Sequence, residues 1–452
     1  MQVRATIEAD PTAPLFRRFR SAAGDHLLIV PHTRIFDLPP ALAASFDADS
    51  DDADRLVAML GETSPLEADL AMVVTPAPQS LSLNVSSSCN LSCGYCYADR
   101  GGFGGAQAQA MTFDVAKAAV QRLVAGADPA RPITIGFLGG EPLRNRGLVH
   151  AVVALAGRLA QQRDLDLRYS ITTNGTLVTD ADIELFRSHR FAVTVSVDGD
   201  AVAHDAQRPL RNGSGSFAQL ARRVRPLLSD PGLAQVAARM TVRSGRFELK
   251  RRLDAVWSLG FAEAGVAPLR VTADQSELDK DDWAPYRDQL IGVAREELDR
   301  ARRGLPIRLT NFAVALKQIH AGASSPYSCG AGGGYFSVAA DGDWYACHRA
   351  IGDKDYRLGS ASALDTERRH AFLVERHVHA KADCRVCWAR YLCSGGCHQE
   401  ASARSQASCD FIRDWLDFCL ASYCELSSAR PQHFVDRSSS GAAQWHRFNR
   451  QN

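Results

Sequence analysis

Cys89, Cys93 and Cys96 stand at the spacing C-x3-C-x2-C, and seven further cysteines gather toward the C-terminus: Cys329, Cys347, Cys384, Cys387, Cys393, Cys397 and Cys409. Three thiolates on one loop can hold three irons of a cubane [4Fe–4S] cluster and leave the fourth iron open. A structural zinc site would want a fourth protein ligand close by. A purely electron-transferring cluster would want four cysteines. The later group, Cys384-x2-Cys387-x5-Cys393-x3-Cys397 followed by Cys409, would on its own fit a pair of zinc sites.

The composition bounds these readings. The 452 residues suit two or three domains, and 46% hydrophobic with 23% charged residues is ordinary for a globular chain. A net charge of +1 gives no broad nucleic-acid or membrane-binding face. Met1–Phe19 is mixed and charged, without the apolar core of a secretory signal. No apolar run is long enough to span a bilayer. A cytoplasmic location is therefore expected, where disulfides are disfavoured and clustered cysteines hold metal or do redox chemistry.

The elements that must position the cysteines read as alternating strands and helices from Leu81 onward. Strands are expected at Ser82–Ser86, Pro132–Leu138, Leu167–Thr173, Ala192–Val197, Val236–Val242 and Ala264–Pro268. Helices are expected at Thr112–Ala125, Leu148–Gln162, Asp180–Ser188, Phe217–Leu228 and Leu249–Leu259. This pattern predicts an α/β fold, a partial (β/α)6 barrel over residues 79–304, with its chemistry at the C-terminal strand ends. Before it, residues 1–78 read as a small α+β module. There His26–Val30 and Thr33–Leu38 form a hairpin, Pro39–Phe46 and Asp52–Leu60 are short helices, and Pro65 and Thr75–Pro78 form a linker. Trp283–Arg303 reads as a long charged helix. Residues 305–430 form a cysteine-rich domain, and 431–452 a polar tail.

The first cysteine loop, placed directly after a strand, resembles the signature of the radical S-adenosylmethionine (SAM) family. In that family the open iron chelates SAM, and a deoxyadenosyl radical abstracts hydrogen from carbon. Four later segments match in order. Gly139-Gly140-Glu141-Pro142 is similar to the glycine-rich motif that holds the SAM ammonium. Thr172-Thr173-Asn174-Gly175 ends the third strand, where relatives place ribose and methionine contacts, and Ser196-Val197-Asp198-Gly199 ends the fourth. His204-Asp205-x-x-Arg208 resembles the segment supplying an arginine to the SAM carboxylate. Tyr95 sits where the family places an aromatic beside the adenine. The resemblance thus implies Cys89, Cys93 and Cys96 as cluster ligands. It implies Tyr95, Gly139, Gly140, Glu141, Thr173, Asn174, Ser196, Asp198 and Arg208 as the SAM site. Taken singly, each segment is a common turn or cap; their order after the triple-cysteine loop carries the assignment.

Cys329, the Gly342-x4-Cys347 step and the four spaced cysteines resemble the SPASM domain of peptide-modifying radical SAM enzymes. That resemblance implies auxiliary cluster I on Cys329, Cys347 and Cys397, and auxiliary cluster II on Cys384, Cys387, Cys393 and Cys409. It implies three [4Fe–4S] clusters in all, a peptide or small-protein substrate, and a reducing partner such as ferredoxin or flavodoxin. Cys419 and Cys424 are read as buried helix residues. Residues 1–78 resemble the module that binds a leader peptide by strand addition, and a plain cap on the barrel fits them equally. Cys93–Ala98 with the glycine-rich Arg100–Gly105 stretch is similar to maturases that install thioethers between Cys and the methylenes of Asp or Glu. A sulfatase-maturing enzyme is the alternative. Relatives of that type tend to carry an acid just after the Gly-x4-Cys cysteine, where this chain has His348, the candidate catalytic base. A non-catalytic iron–sulfur electron carrier is a third reading, opposed by the SAM segments.

Overall fold

Leu27, Leu28 and Ile29 are buried almost completely, and they anchor the first sheet of the N-terminal region. Arg4–Thr6 (β1) precedes three antiparallel strands, Phe16–Ser21 (β2), Gly24–Ile29 (β3) and Arg34–Leu38 (β4), in the order β2-β3-β4. The expected hairpin is thus a three-stranded sheet. Three arginines within β2 break the apolar alternation that would have marked it as a strand. Helix Pro40–Asp47 follows, and Met72–Val74 (β5) returns to pair antiparallel with β1.

The computed structural model describes residues 4–47, 66–99, 102, 109–233, 235–245, 247–269, 278–360, 363–400 and 404–434. The expected helix Asp52–Leu60, Pro65, most of Arg100–Gly105 and the tail beyond Phe434 lie outside the described residues. Two compact units result. One holds the described residues within Met1–Val74, Asp279–Cys329 and Leu373–Ser438; the other holds those within Thr75–Leu278 and Gly330–Phe372.

In the first unit, helices Trp283–Arg302 and Thr310–His320 pack on the long helix Gln406–Ala429 through aromatic contacts. Trp283 and Tyr286 lie 5.3 and 5.2 Å from Phe411, ring centre to ring centre. Cys419 and Cys424 are buried on that long helix. The turn between the first two helices is tied by Glu297, a buried carboxylate. It accepts from the Arg308 backbone N–H at 2.6 Å and from its Nε and Nη2 at 3.1 and 2.8 Å.

The second unit is built on parallel strands: Ser80–Ser86 (β6), Ile133–Gly139 (β7), Leu167–Thr173 (β8), Ala192–Ser196 (β9), Val236–Val242 (β10) and Glu263–Pro268 (β11). They lie in sequence order, and helices follow β7, β8, β9 and β10, as the partial (β/α)6 barrel requires. Residues Phe137, Tyr169 and Val195 point toward the helices. Tyr169 donates to the Val153 carbonyl at 3.0 Å, and Phe191 stacks on both Tyr169 and Phe137. The barrel does not close. On its outer side β6 pairs in parallel with Tyr335–Val338 (β12), which continues antiparallel into Trp344–Tyr345 (β13) and Arg357–Gly359 (β14).

Candidate functional site

Strand β6 ends at Ser86, and the chain runs straight into the cysteine loop. Two glycines at the end of β7 make room for it. Gly139 has φ +142°, and a Cβ there would meet the Ser86 carbonyl and Asn84 Oδ1. A Cβ on Gly140 would fall 2.5 Å from the Ser88 carbonyl, one residue before Cys89. Only glycine lets the two backbones come this close. The Gly140 N–H donates to Ser86 O at 2.7 Å and the Glu141 N–H to Ser88 O at 3.0 Å, so the two loops are locked together.

Glu141 is fully buried. Its Oε1 accepts from the Leu143 N–H (3.1 Å) and the Thr173 hydroxyl (2.7 Å), and its Oε2 accepts from the Asn174 N–H (2.7 Å). Burial pushes its carboxyl above the usual range, and those three donors oppose the shift. Asn174 in turn aims its Nδ2 at Asn90 Oδ1 (2.9 Å) and at Cys89 Sγ (3.7 Å), while Leu91 N–H reaches the same sulfur at 3.4 Å. Gly139, Gly140, Glu141, Thr173 and Asn174 therefore converge beside Cys89.

Tyr95, Asp198 and Arg208 form a second group, all three buried. The Tyr95 hydroxyl donates to Asp198 Oδ2 at 2.6 Å, Arg208 Nη1 donates to the Tyr95 hydroxyl, and Thr241 N–H holds Asp198 Oδ1 at 2.9 Å. Burial raises the Asp198 carboxyl, opposed by Arg208. His204 orders this group from behind. Its Nδ1 accepts from the Asp198 N–H (3.3 Å), which places the ring hydrogen on Nε2 to donate to Ser216 Oγ (3.0 Å); that hydroxyl donates to the Arg208 carbonyl (2.6 Å). Ser196 lies opposite Arg239 in the β9–β10 register.

His348 lies in the same unit, directly after Cys347. Its Nδ1 is 2.9 Å from the Tyr335 hydroxyl, which is 2.6 Å from Ser82 Oγ on β6. Tyr97, the residue after Cys96, meets the His348 ring edge-on at 5.9 Å, and the Arg349 guanidinium stacks 4.6 Å over Tyr97. Burial, with the Arg349 and Arg239 charges, pushes the His348 imidazole down to about 3. Tyr335 and Arg239 escaped the sequence reading, which took Tyr97 only as part of the Cys93–Ala98 stretch. For Arg239 the available signal was a lone charge inside the strand Val-Ala-Ala-Arg-Met-Thr-Val.

In the first unit, burial pushes the Cys384 and Cys409 thiols up, and both lie close enough to Cys393 for its charge to add to the shift, as Cys387 does for Cys409. Cations surround them. Arg404 Nη1 lies 3.7 Å from Cys393 Sγ, Lys381 Nζ donates to the Gly395 carbonyl at 3.3 Å, and Arg413 hydrogen-bonds toward Cys387. Ser328 Oγ donates to the Gly396 carbonyl at 2.5 Å, which joins the segments carrying Cys329 and Cys397. Cys347 belongs to the other unit.

The sulfur environments fit iron–sulfur ligation. Backbone and side-chain N–H groups point at Cys89, Cys347 and Cys393, as donors do around ligating thiolates. Among the described residues no three His, Cys, Asp or Glu side chains converge on one point, as a mononuclear ion requires. A cubane instead holds its thiolates at separate corners. As a free thiol Cys89 is pushed up to about 11 by burial, and a bound metal would deprotonate it outright.

An open parallel barrel, a three-cysteine loop at the end of its first strand and glycines cut to fit that loop define the class. Residues 83–227, which carry the three-cysteine loop and the ends of the first four parallel strands, match the radical SAM superfamily, and the likenesses indicate an enzyme. It is 26% identical over 356 residues to a serine-type anaerobic sulfatase-maturating enzyme of Klebsiella aerogenes, covering 74% of this chain and 83% of that one. A cysteine-type enzyme of Clostridium perfringens is 24% identical over 381 residues, covering 79% and 95%. A solved structure of native anSMEcpe with bound AdoMet and Kp18Cys peptide superposes with a TM-score of 0.65 at 18% identity, over 78% of this chain and 99% of that one. No described helix is long and apolar enough to cross a membrane.

Proposed function

We propose that the chain is a SPASM-type maturase that joins a cysteine sulfur of a peptide or small protein to the side-chain methylene of an Asp or Glu. The observation that carries this over formylglycine formation is His348, hydrogen-bonded to Tyr335 at the position where sulfatase-maturing relatives tend to place an acid. When bound, SAM with a cluster on Cys89, Cys93 and Cys96 supplies the hydrogen-abstracting radical. Two auxiliary clusters, on Cys329, Cys347 and Cys397 and on Cys384, Cys387, Cys393 and Cys409, supply one-electron acceptance.

The chain's own residues orient and exclude water. Glu141 and Arg208 supply the charges for the SAM ammonium and carboxylate, Asn174 and Thr173 fix the loop between them, and Tyr95 closes the adenine side. Each thioether removes one hydrogen from carbon, to the radical, and one proton from sulfur, and it releases one electron. His348 is the candidate to move that proton. Burial holds its ring neutral, so it would pass the proton on rather than keep it. The tautomer with its hydrogen on Nδ1, donated to Tyr335, would leave Nε2 as the acceptor. A ferredoxin or flavodoxin would deliver the initiating electron. Strand β4 is a sheet edge with exposed Arg34 and Asp37, which supports leader-peptide docking by strand addition.

Formylglycine formation is the second reading, favoured by the likeness to sulfatase-maturating enzymes along most of their length. Mass spectrometry of the product separates the two. A thioether removes about two hydrogen atoms and one alkylatable thiol per cross-link. An aldehyde with loss of the cysteine sulfur would overturn the thioether reading.

A further inference from the structure

The face of the parallel sheet turned away from the helices is unusual for a β/α barrel. Ordinarily branched apolar side chains fill it in layers. Here Ser82, Gly136 and Ser170 lie side by side in register, and a Cβ on Gly136 would sit 3.0 Å from Ser170 Oγ and 3.6 Å from Ser82 Cβ. Further round, Thr172 faces Thr194 across β8 and β9. Small hydroxyl side chains leave space and offer weak, adaptable hydrogen bonds. They suit an occupant that comes and goes better than a permanent core.

Three charged residues lie on this face: Arg168 and Glu263 at the starts of β8 and β11, and Arg239 in the middle of β10. In β10, Ala238, Met240 and Val242 are buried on the helix side, so Arg239 projects to the opposite side, where it is exposed. Its backbone partners are Ser196 and Gly265. Two residues on, the Thr241 N–H holds Asp198, which binds Tyr95. Arg239 therefore stands on the face turned away from the helices, two residues from the backbone N–H that fixes Asp198 of the Tyr95–Asp198–Arg208 group.

We propose that Arg239 reads the carboxylate of the substrate side chain and makes the enzyme select an acidic residue. This rests on the peptide-maturase reading above and adds the residue that decides which side chain is accepted. A guanidinium matches a carboxylate in shape as well as charge, with two parallel N–H···O bonds. An entering carboxylate loses water, and that cost is recovered only where a fixed cation awaits it. A carboxamide of the same size carries no charge to recover.

The test uses two fluorescein-labelled peptides, Gly-Cys-Gly-Gly-Asp-Gly-Gly and the same sequence with Asn for Asp, and the reconstituted enzyme with SAM. Binding is read by anisotropy. Wild type is expected to hold the Asp peptide about tenfold more tightly than the Asn peptide. Arg239→Gln should remove that preference and Arg239→Lys should keep part of it. Arg225→Gln, which deletes an exposed charge on the outer helix Phe217–Ser229, should keep all of it. Cluster absorbance and circular dichroism confirm that each variant is folded. Equal or absent binding of the two peptides by wild type, or a preference that survives Arg239→Gln, overturns the proposal. Release of 5′-deoxyadenosine by reduced wild type is measured alongside. Its absence counts against the radical SAM reading, whereas a missing Asp preference with that release intact counts against Arg239 alone.

Discussion

A histidine that touches no substrate atom in this reading holds Asp198 and Arg208, the charges of the proposed SAM site, in place. His204 has no exposed surface, and burial and Arg208 push its imidazole down to about 3. Because the unfolded chain titrates near 6.5, it binds more protons than the folded one between those values. Stability present above that pH is therefore lost as pH falls toward 3. Between pH 7 and pH 5 this one group should cost about 2 kcal/mol. Other buried histidines share the window, so the informative quantity is a difference. Urea midpoints of wild type and His204→Gln at both pH values should show the variant losing less on acidification. Equal slopes would remove His204 from the acid limb. In the sequence, His204 was readable only as part of a motif. Its partner Ser216 lies twelve residues on, and nothing local marks the Asp198 N–H as the third party.

Among the elements, the six parallel strands were legible because each carries a buried apolar alternation at nearly every second position, as Leu81, Leu83 and Val85 do in β6. Strands β12 to β14 were not legible. They are four, two and three residues long, and pairing rather than pattern makes them strands. The same limit hid Tyr335. Its hydroxyl meets Ser82 and His348 only because β12 lies on β6 in a register that no local signal sets. Where one buried carboxylate serves several donors, the cost of losing it can be stated. Glu297 satisfies three donors of Arg308 at the turn after Trp283–Arg302. Glu297→Ala should cost about 3 kcal/mol by leaving those donors without their buried acceptor. Glu297→Gln, which keeps one acceptor oxygen, should cost less. Chemical denaturation ranks the two, and a neutral alanine variant would show that the turn stands without its carboxylate.

At the scale of the whole molecule, the proposed ligand sets divide the cysteines into groups that should empty separately. The reading predicts three cubanes and about twelve irons. Replacing Cys384 and Cys387 together should remove about four of those irons and leave SAM cleavage at Cys89, Cys93 and Cys96 in place. Iron and sulfide analysis with assay of 5′-deoxyadenosine checks both halves. Zinc in the C-terminal group, with only one cubane's worth of iron, would refute it.

The pairing of β12 beside β6 sets a schedule for synthesis. Strand β6 gains its inner neighbour β7 early, but its outer neighbour begins only at Tyr335, after all of β11 has been made. A gap of roughly 70 residues after β11, translated at roughly 5–20 residues per second, leaves that edge bare for several seconds on the ribosome. A bare parallel edge is a template for wrong partners. Slower elongation lengthens the interval and lower temperature weakens apolar association during it, so soluble yield in a foreign host should depend on how quickly residues 335–338 emerge.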